Sequence, residues 1–387
     1  MRTAAAYNRC EMSEKPLKYR RIVAKFGTNV LTAGTDSLNT ELMASLVAQV
    51  ADLHKRGAEV LVVTSGAIAA GRHRLSLHGK KDRKDIPFRQ VLAAVGQSDL
   101  MHTYQGLFGA HDITVAQTLL TKSDLADRLG YLNARNALLA MLDMRVVPVI
   151  NENDVVASDE IEGAKIGDND NLSALVSNLV DADMLALLTD IGGLYTADPR
   201  TDSDATLVER VDRIDASIEA LAGGTQSERS TGGMATKIQA AKLAVGGGTD
   251  MYIVAGKEPD VITRLAEGES LGTYFPATGD RMESRKRWML AGLSVKGTIV
   301  VDEGAAKVLR GGKSSLLPAG VREVSGAFMR GDHVAIAGPD GRIAVGIANY
   351  DANEITQIKG VRSDKIEGVL GHHYGPEVVH RDNLVLL

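Results

Sequence analysis

Short apolar runs alternate with longer segments of helical period over roughly the first 276 residues of the chain. The run RIVAKF at 21–26 predicts a buried strand, and TELMASLVAQVADLHKRG at 40–57 predicts an amphipathic helix ending at Gly57. EVLVVTSG at 59–66 predicts the next strand, and DITVAQTLL, RVVPVI, MLALLTD and DMYIVAG repeat the theme with helical stretches between them. Continuous apolar strands separated by helices imply a sheet covered on both faces. The expected fold class is therefore α/β, with a mainly parallel sheet sandwiched between helices. INENDVVASDEIEGAK at 150–165 interrupts the alternation; it is polar and reads as a hairpin.

The texture changes after TGDRMESRKRWMLAG at 278–292, a charged stretch without strand period that reads as a connection. Beyond it, GTIVVDEGAAKVL, HVAIAG, IAVGIANY and VVHRDNLVLL are short β-rich pieces set off by Gly, Pro and Asp turns such as GPDG. They predict a small β-rich, barrel-like module with one or two short helices. The expected organisation is a mobile leader at 1–18, an α/β domain at 19–277, a linker at 278–295 and the β-rich domain at 296–387. A chain of 387 residues has the length for two cores.

Composition narrows the class. Hydrophobic residues make up 44% and charged residues 24%, as in a soluble globular protein. Cys10 is the only cysteine, so neither an internal disulfide nor a Cys-based zinc site is available. The first residues lack a continuous apolar core, and no run approaches bilayer-spanning length, so the chain reads as cytoplasmic, with no membrane partner. The net charge is −5, and residues 296–387 are balanced at 11 basic and 11 acidic side chains. That balance argues against nucleic acid as a partner.

Chemistry enters through loops. GGKSS at 311–315 matches the end of a P-loop, but Lys307 stands where the first Gly is required, so it reads as a surface turn. KIGDNDNLSAL at 165–175 sets Asp168, Asn169, Asp170 and Asn171 in a row before an apolar helical run. It lacks the downstream spacing of a calcium loop and, read alone, is a helix cap. Four Gly-containing turns leave predicted strands or precede helices: AKFGTNVL with Lys25 and Gly27, VVTSGAIAAG with Ser65, LLTDIGGLYTADPR with Thr189 and Asp190, and STGGMATKIQAAK with Lys237. Taken singly, Lys25 reads as a snorkelling surface lysine and Ser65 as a helix cap. Taken together, two lysines, a central Asp and several Gly turns suit phosphoryl transfer, which needs positioning and charge neutralisation more than covalent chemistry.

Those segments, with LAAVGQSDLM, LNARNALLAML and VVPVINENDVV, resemble the glutamate 5-kinases of the amino acid kinase superfamily in order and spacing over residues 21 to about 276. The C-terminal segment, with VDEGAAKVL, SSLLPAGV and HHYGPEVVHRDNLV, is similar to a PUA domain. The resemblance implies an amino acid kinase fold followed by a PUA-like barrel, and transfer of the ATP γ-phosphoryl to the γ-carboxylate of L-glutamate at the entry to proline biosynthesis. It assigns Lys25, Asp170 and Lys237 to catalysis, the Asp orienting both lysines. Substrate contacts carry over to Ser65, Asn151, Asp154 and Asn169. ATP contacts carry over to Lys25, Gly27, Thr189 and Asp190, and to Thr231, Gly232, Gly233, Met234, Ala235, Thr236 and Lys237.

The resemblance implies Mg²⁺ carried mainly on the ATP phosphates, without a dedicated protein metal ligand. It also implies proline as a feedback inhibitor and a homo-oligomer, dimer or tetramer. Departures are a first strand with altered neighbours of Lys25, and a connection at 158–167 longer than is usual for the family. Two alternatives stay open: a superfamily kinase for another amino-acid carboxylate, such as N-acetylglutamate or aspartate, and an RNA-binding regulatory protein acting through the PUA-like module.

Overall fold

A computed structural model describes residues 15–35, 37–77, 85–157, 169–223, 233–278, 295–312 and 314–386. It divides into two compact units, one of residues up to 124 together with 135–281, the other of 125–134 with 282–387.

The first unit is built on a seven-stranded sheet. Its strands are β1 (Arg21–Phe26), β2 (Glu59–Thr64), β3 (Val115–Leu120), β4 (Val147–Glu152), β5 (Met184–Thr189), β6 (Asp250–Ala255) and β7 (Thr273–Phe275), in the order β3-β4-β2-β1-β5-β6-β7. Every neighbouring pair is parallel except β6 with β7. The expected mainly parallel α/β sheet is therefore what the chain forms. β1 lies between β2 and β5, where the chain's progress across the sheet reverses, so its carboxyl end opens into a crevice.

Alternation along β1 sends Ile22, Ala24 and Phe26 into the main core with Leu46, Val50 and Leu53 of α2 (Thr40–Lys55). Lys25, one residue out of step, points to the opposite face. The helix α2 starts where the Asn39 side chain accepts from the Leu42 N–H at 2.9 Å, and its last helical residue lies two before Gly57. Earlier in the chain lies the short α1 (Thr28–Thr32), directly after β1.

Two further helices are pressed together unusually closely. These are α3 (Ala67–Arg74) and α4 (Ile86–Gly109), the latter capped by Asp85 onto the Phe88 N–H. A Cβ on Gly96 of α4 would lie 1.8 Å from the Ala67 carbonyl oxygen, and one on Gly71 of α3 would lie 2.0 Å from that of Leu92. Only backbone fits at this crossing. The unit also contains α5 (Lys122–Ala126) and α6 (Arg128–Asp143), of which residues 125–134 belong to the second unit. Next come α7 (Asn169–Leu179), α8 (Ala216–Gly223), α9 (Met234–Gly246) and α10 (Val261–Ala266). α7 packs on α9, where Asn178 donates to the Leu243 carbonyl at 3.0 Å.

The second unit holds a five-stranded sheet of β8 (Gly297–Val301), β9 (Val321–Gly326), β10 (His333–Gly338), β11 (Gly341–Ile347) and β12 (Leu384–Leu386), in the order β12-β11-β10-β8-β9. β8 and β10 are parallel and the other pairs antiparallel. Among its described residues from 295 on, the helices are α11 (Glu303–Arg310), α12 (Ala352–Ile358) and α13 (Ile366–Leu370). That is one more than the β-rich pattern suggests, because α12 starts in a capping box between Asp351 and Glu354 that carries little hydrophobic period.

Of the predicted leader, only residues 15–18 are described. They are tied down by the Lys18 N–H to the Ala266 carbonyl at 2.9 Å and by Arg56 to the Lys15 carbonyl at 2.7 Å. Residues 279–294 of the predicted linker and the whole 158–167 connection lie outside the described residues, as does Lys313 of the rejected P-loop match.

Gly96→Ala is expected to destabilise the chain by about 1–3 kcal/mol through overpacking and to lower its thermal midpoint by several degrees. Gly106→Ala, in the same helix with open space at its Cβ position, serves as the control. It is expected to leave the midpoint unchanged or raise it, since Ala is the better helix former by about 1 kcal/mol. Equal midpoints for the two variants would refute the close-crossing account.

Candidate active site

The site forms at the carboxyl ends of β1, β2, β4 and β5 and the first turns of α7 and α9, all within the first unit. At its centre the Asp170 carboxylate, 2% exposed, receives Lys25 Nζ on Oδ1 at 2.5 Å and Lys237 Nζ on Oδ2 at 3.0 Å. Thr236 Oγ1 also donates to Oδ2, at 3.1 Å. Both lysines are nearly buried, at 8% and 7% exposure, so Lys25 is not a snorkelling surface residue. Burial works against the Asp170 charge, but the two ammonium groups outweigh it and hold the carboxyl well below the usual carboxylate range. Two cations on one anion leave a net positive charge in a partly dry site, which favours an anionic ligand.

A cleft of about 100 Å³ opens beside this cluster, walled by Lys25, Gly27, Ser65, Asp170 and Lys237 and, on the other side, by Thr189 and Asp190. Gly27 lets backbone form the wall: a Cβ there would sit 3.2 Å from the Leu188 carbonyl and 3.7 Å from Lys25 Nζ. Asp190 is fixed by Asn29 Nδ2 at 3.0 Å and Thr189 Oγ1 at 3.0 Å. Burial opposes its charge, and these hydrogen bonds together with the Lys237 charge pull its pKa below the ordinary value. Thr28 and Asn29 line the cleft without having been singled out as site residues. The available signal was position, since they open the helical turn directly after the strand that carries Lys25.

A layer of neutral amides adjoins the charged cluster. Asn169 Nδ2 donates to the Thr64 carbonyl at 3.0 Å, to Ser65 Oγ at 3.0 Å and to Asn151 Oδ1 at 3.1 Å. Asn151 Nδ2 in turn donates to Gln97 Oε1 at 2.8 Å. Tyr104, fully buried on α4, shares a 2.8 Å hydrogen bond with Thr64 Oγ1 behind this layer. Ser65, Asn151 and Asn169 are thus brought together. Ser65 does not cap α3; that position belongs to Gly66, whose φ of 97° takes the chain sharply into the helix.

Asp154 stands in the turn after β4, which Gln90 of α4 holds through the Val155 carbonyl at 3.0 Å. Burial pushes its carboxyl up to about 6, against the smaller opposing pull of the Arg89 guanidinium. It is half-buried and does not line the cleft.

The row at 168–171 divides as follows. Asn169 and Asp170 open α7 and turn inward, and Asn171 reaches Gln239 at 3.4 Å. Asp168, which holds the position before the helix, lies outside the described residues, as do Thr231 and Gly232. Gly233 precedes α9 without a side-chain cap, and Met234 and Ala235 occupy its first turn away from the cleft wall.

Neither cleft carboxylate is a vacant metal ligand: Asp170 is occupied by lysines, and Asp190 by Asn29 and Thr189. Among the described residues no group of three or more His, Cys, Asp or Glu could hold a metal ion. A Mg²⁺ ion fits this donor set only as a passenger on the oxygens of a phosphate ligand.

Comparison with known proteins points the same way. The model of the amino acid kinase family matches residues 20–255, and that of the PUA domain matches residues 297–370. A glutamate 5-kinase of Dehalococcoides mccartyi is 51% identical over 370 residues, which cover 95% of this chain and 99% of the relative. The glutamate 5-kinase of Herpetosiphon aurantiacus is 52% identical over 368 residues, with 95% and 98% covered. That of Deinococcus radiodurans is 49% identical over 368 residues, with 95% and 100% covered.

Proposed function

The chain belongs to the amino acid kinase family and, within it, to the glutamate 5-kinases, and we propose that it transfers the γ-phosphoryl of ATP to the γ-carboxylate of L-glutamate. The product is γ-glutamyl phosphate, the first intermediate of proline biosynthesis. The observation that carries this reading is the buried Lys25–Asp170–Lys237 cluster lining the cleft.

Charge spreads over the phosphoryl oxygens as the group is transferred, and the two ammonium groups, held by Asp170, sit ready to stabilise it. The attacking γ-carboxylate is already ionised at neutral pH, so the reaction needs no general base. Gly27, Thr189 and Asp190 with the stretch Thr231–Lys237 take the nucleotide. Mg²⁺ travels with its phosphates and adds charge neutralisation there. Ser65, Asn151 and Asn169 hold glutamate, and Asp154 pairs with its α-ammonium group.

In this reading residues 19–277 are the catalytic domain, 296–387 the PUA-like domain and 278–295 their linker. The enzyme is cytoplasmic and a homo-oligomer, and proline inhibits it by competing at the glutamate site. Among the described residues no helix is long and apolar enough to cross a membrane.

The direct test is ATP turnover with L-glutamate, N-acetylglutamate and L-aspartate. Glutamate is expected to give by far the highest kcat/KM, because an acetylated amine offers Asp154 no charge. A folded sample without glutamate-dependent turnover would end this proposal.

Lys237→Ala is expected to lower kcat by about 100-fold or more with little change in KM for glutamate, since Lys237 acts on the transferred phosphoryl. A rise confined to the glutamate KM would instead make Lys237 a substrate-binding residue.

The Asp154 carboxyl sets a pH dependence with a definite sign. Its pKa of about 6 means that it is charged above that value and neutral below it, and only the charged form pairs with an ammonium. KM for glutamate is therefore expected to be flat above about pH 7 and to rise toward about tenfold per unit as pH falls below about 6. Asp154→Asn is expected to raise KM at pH 7 and to flatten the profile between about pH 5 and 7. An unchanged profile in that variant would remove Asp154 from the ammonium site.

A further inference from the structure

Gln97, Asn151 and Asn169 form a row of side-chain amides drawn from α4, β4 and α7, and the reaction as described above makes no use of the first of them. Asn169 Nδ2 donates to Asn151 Oδ1, and Asn151 Nδ2 donates to Gln97 Oε1. Such a row can run in either direction, because exchanging O and N in every member preserves its contacts.

Two backbone groups remove that freedom here. The Thr64 carbonyl can only accept, so Asn169 must turn Nδ2 toward it. The Glu152 N–H can only donate, at 2.9 Å, so Asn151 must turn Oδ1 toward it. The direction of the row follows, and the terminal acceptor has to be Gln97 Oε1. At the other end Asn169 Oδ1 is left buried, without a hydrogen-bond partner among the described residues. Asn169 does not itself line the cleft but bonds Ser65, which does, and an unused buried acceptor one residue behind the wall is a place for an N–H donor of the ligand.

We propose that Gln97 is a positioning residue for the amino-acid substrate. By accepting from Asn151 it keeps the Asn151–Asn169 pair engaged, and with it the orientation that presents Asn169 Oδ1 to the substrate's α-ammonium group. Without that acceptor, Asn151 Nδ2 faces a buried position with nothing to bond. The Asn151 amide then turns away and releases Asn169. Gln97 is well placed for this role because its neighbour Gly96 locks α4 against the Ala67 backbone, which fixes the height of the Gln97 side chain. The identity of the substrate in this inference rests on the glutamate reading; the amide relay itself does not.

The test uses the full chain with Gln97→Met, which keeps length but has no acceptor oxygen, and Gln97→Glu, which keeps an acceptor oxygen but exchanges Nε2 for a second oxygen and a negative charge. That nitrogen has no hydrogen-bond partner among the described residues. Gln97→Met is expected to raise KM for glutamate about tenfold while kcat and the KM for ATP stay within about twofold. Gln97→Glu is expected to recover most of that loss at a similar thermal midpoint. A glutamate KM unchanged in Gln97→Met, or raised equally in both variants, overturns the proposal.

A crystal structure of Gln97→Met supplies a readout independent of substrate. Asn151 is expected to have rotated off Asn169, and an unmoved Asn151 amide would also overturn the proposal. A wild-type chain with no glutamate-dependent turnover would sink the functional reading alone, leaving this structural test to decide the relay.

Discussion

The Asp170 carboxylate, gripped by Lys25 and Lys237, is the constraint around which the site is organised. Burial opposes the Asp170 charge, and the two ammonium groups paired with it hold the carboxylate ionised. The three groups come from β1, α7 and α9, so the end of one strand and the starts of two helices have to meet within hydrogen-bond distance. The sheet order meets that demand by placing β1 at its reversal point, and α7 and α9 pack directly on each other. Because the cluster carries one more positive than negative charge, it is stable as a structural element and still unsatisfied toward an anion.

The first turn of α7 serves two purposes with adjacent residues. Successive helical residues point about 100° apart, so Asn169 and Asp170 cannot address the same neighbours. Asn169 turns to the ends of β2 and β4, where Thr64, Ser65 and Asn151 wait, while Asp170 turns to β1 and α9. A substitution that shifted the start of this helix by one residue would misplace the charge centre and the amide layer together. The row of polar residues that reads as a helix cap in isolation also carries, at Asn169 and Asp170, the contacts that join the amide layer to the charged cluster.

Much of the fold was legible because strand burial leaves a strong apolar signal: RIVAKF, EVLVVT and MLALLT all became strands within two residues of their expected ends. Lys25 was legible as a candidate only through its company, since one lysine in an apolar run carries no mark of burial. Gln97 lies in LAAVGQSDLM, one of the segments that carry the resemblance, but nothing there marked it for a role. It sits in a helix whose local pattern explains every residue, and its partner Asn151 lies 54 positions away in the chain. The α3–α4 crossing was hidden for the same reason: Gly71 and Gly96 look like weak points in helices until the facing backbone is known. Three short helices in the second unit likewise exceed what their sequence shows, because a cap such as Asp351–Glu354 fixes a helix start without adding apolar period.

The contrast between charged and neutral layers has its own electrostatic logic. On the proposed reading a carboxyl acceptor is held beside two lysines whose cleft already contains Asp190 as a second carboxylate, so the amide layer adds no charge beyond it. Another carboxylate would draw Lys25 or Lys237 off Asp170, and another cation would raise the cost of burying both. Amides avoid the conflict because they carry direction but no net charge, and backbone groups at Thr64 and Glu152 supply that direction at no ionic cost. Asp154, the carboxyl proposed above for the substrate ammonium, stands outside the cleft wall in a separate turn, where burial lifts its pKa to about 6. On the proposed assignment, separation of this kind leaves the excess positive charge of the lysine pair for the transferred phosphoryl, while the acceptor is recognised by Asp154 and by hydrogen bonds of fixed polarity.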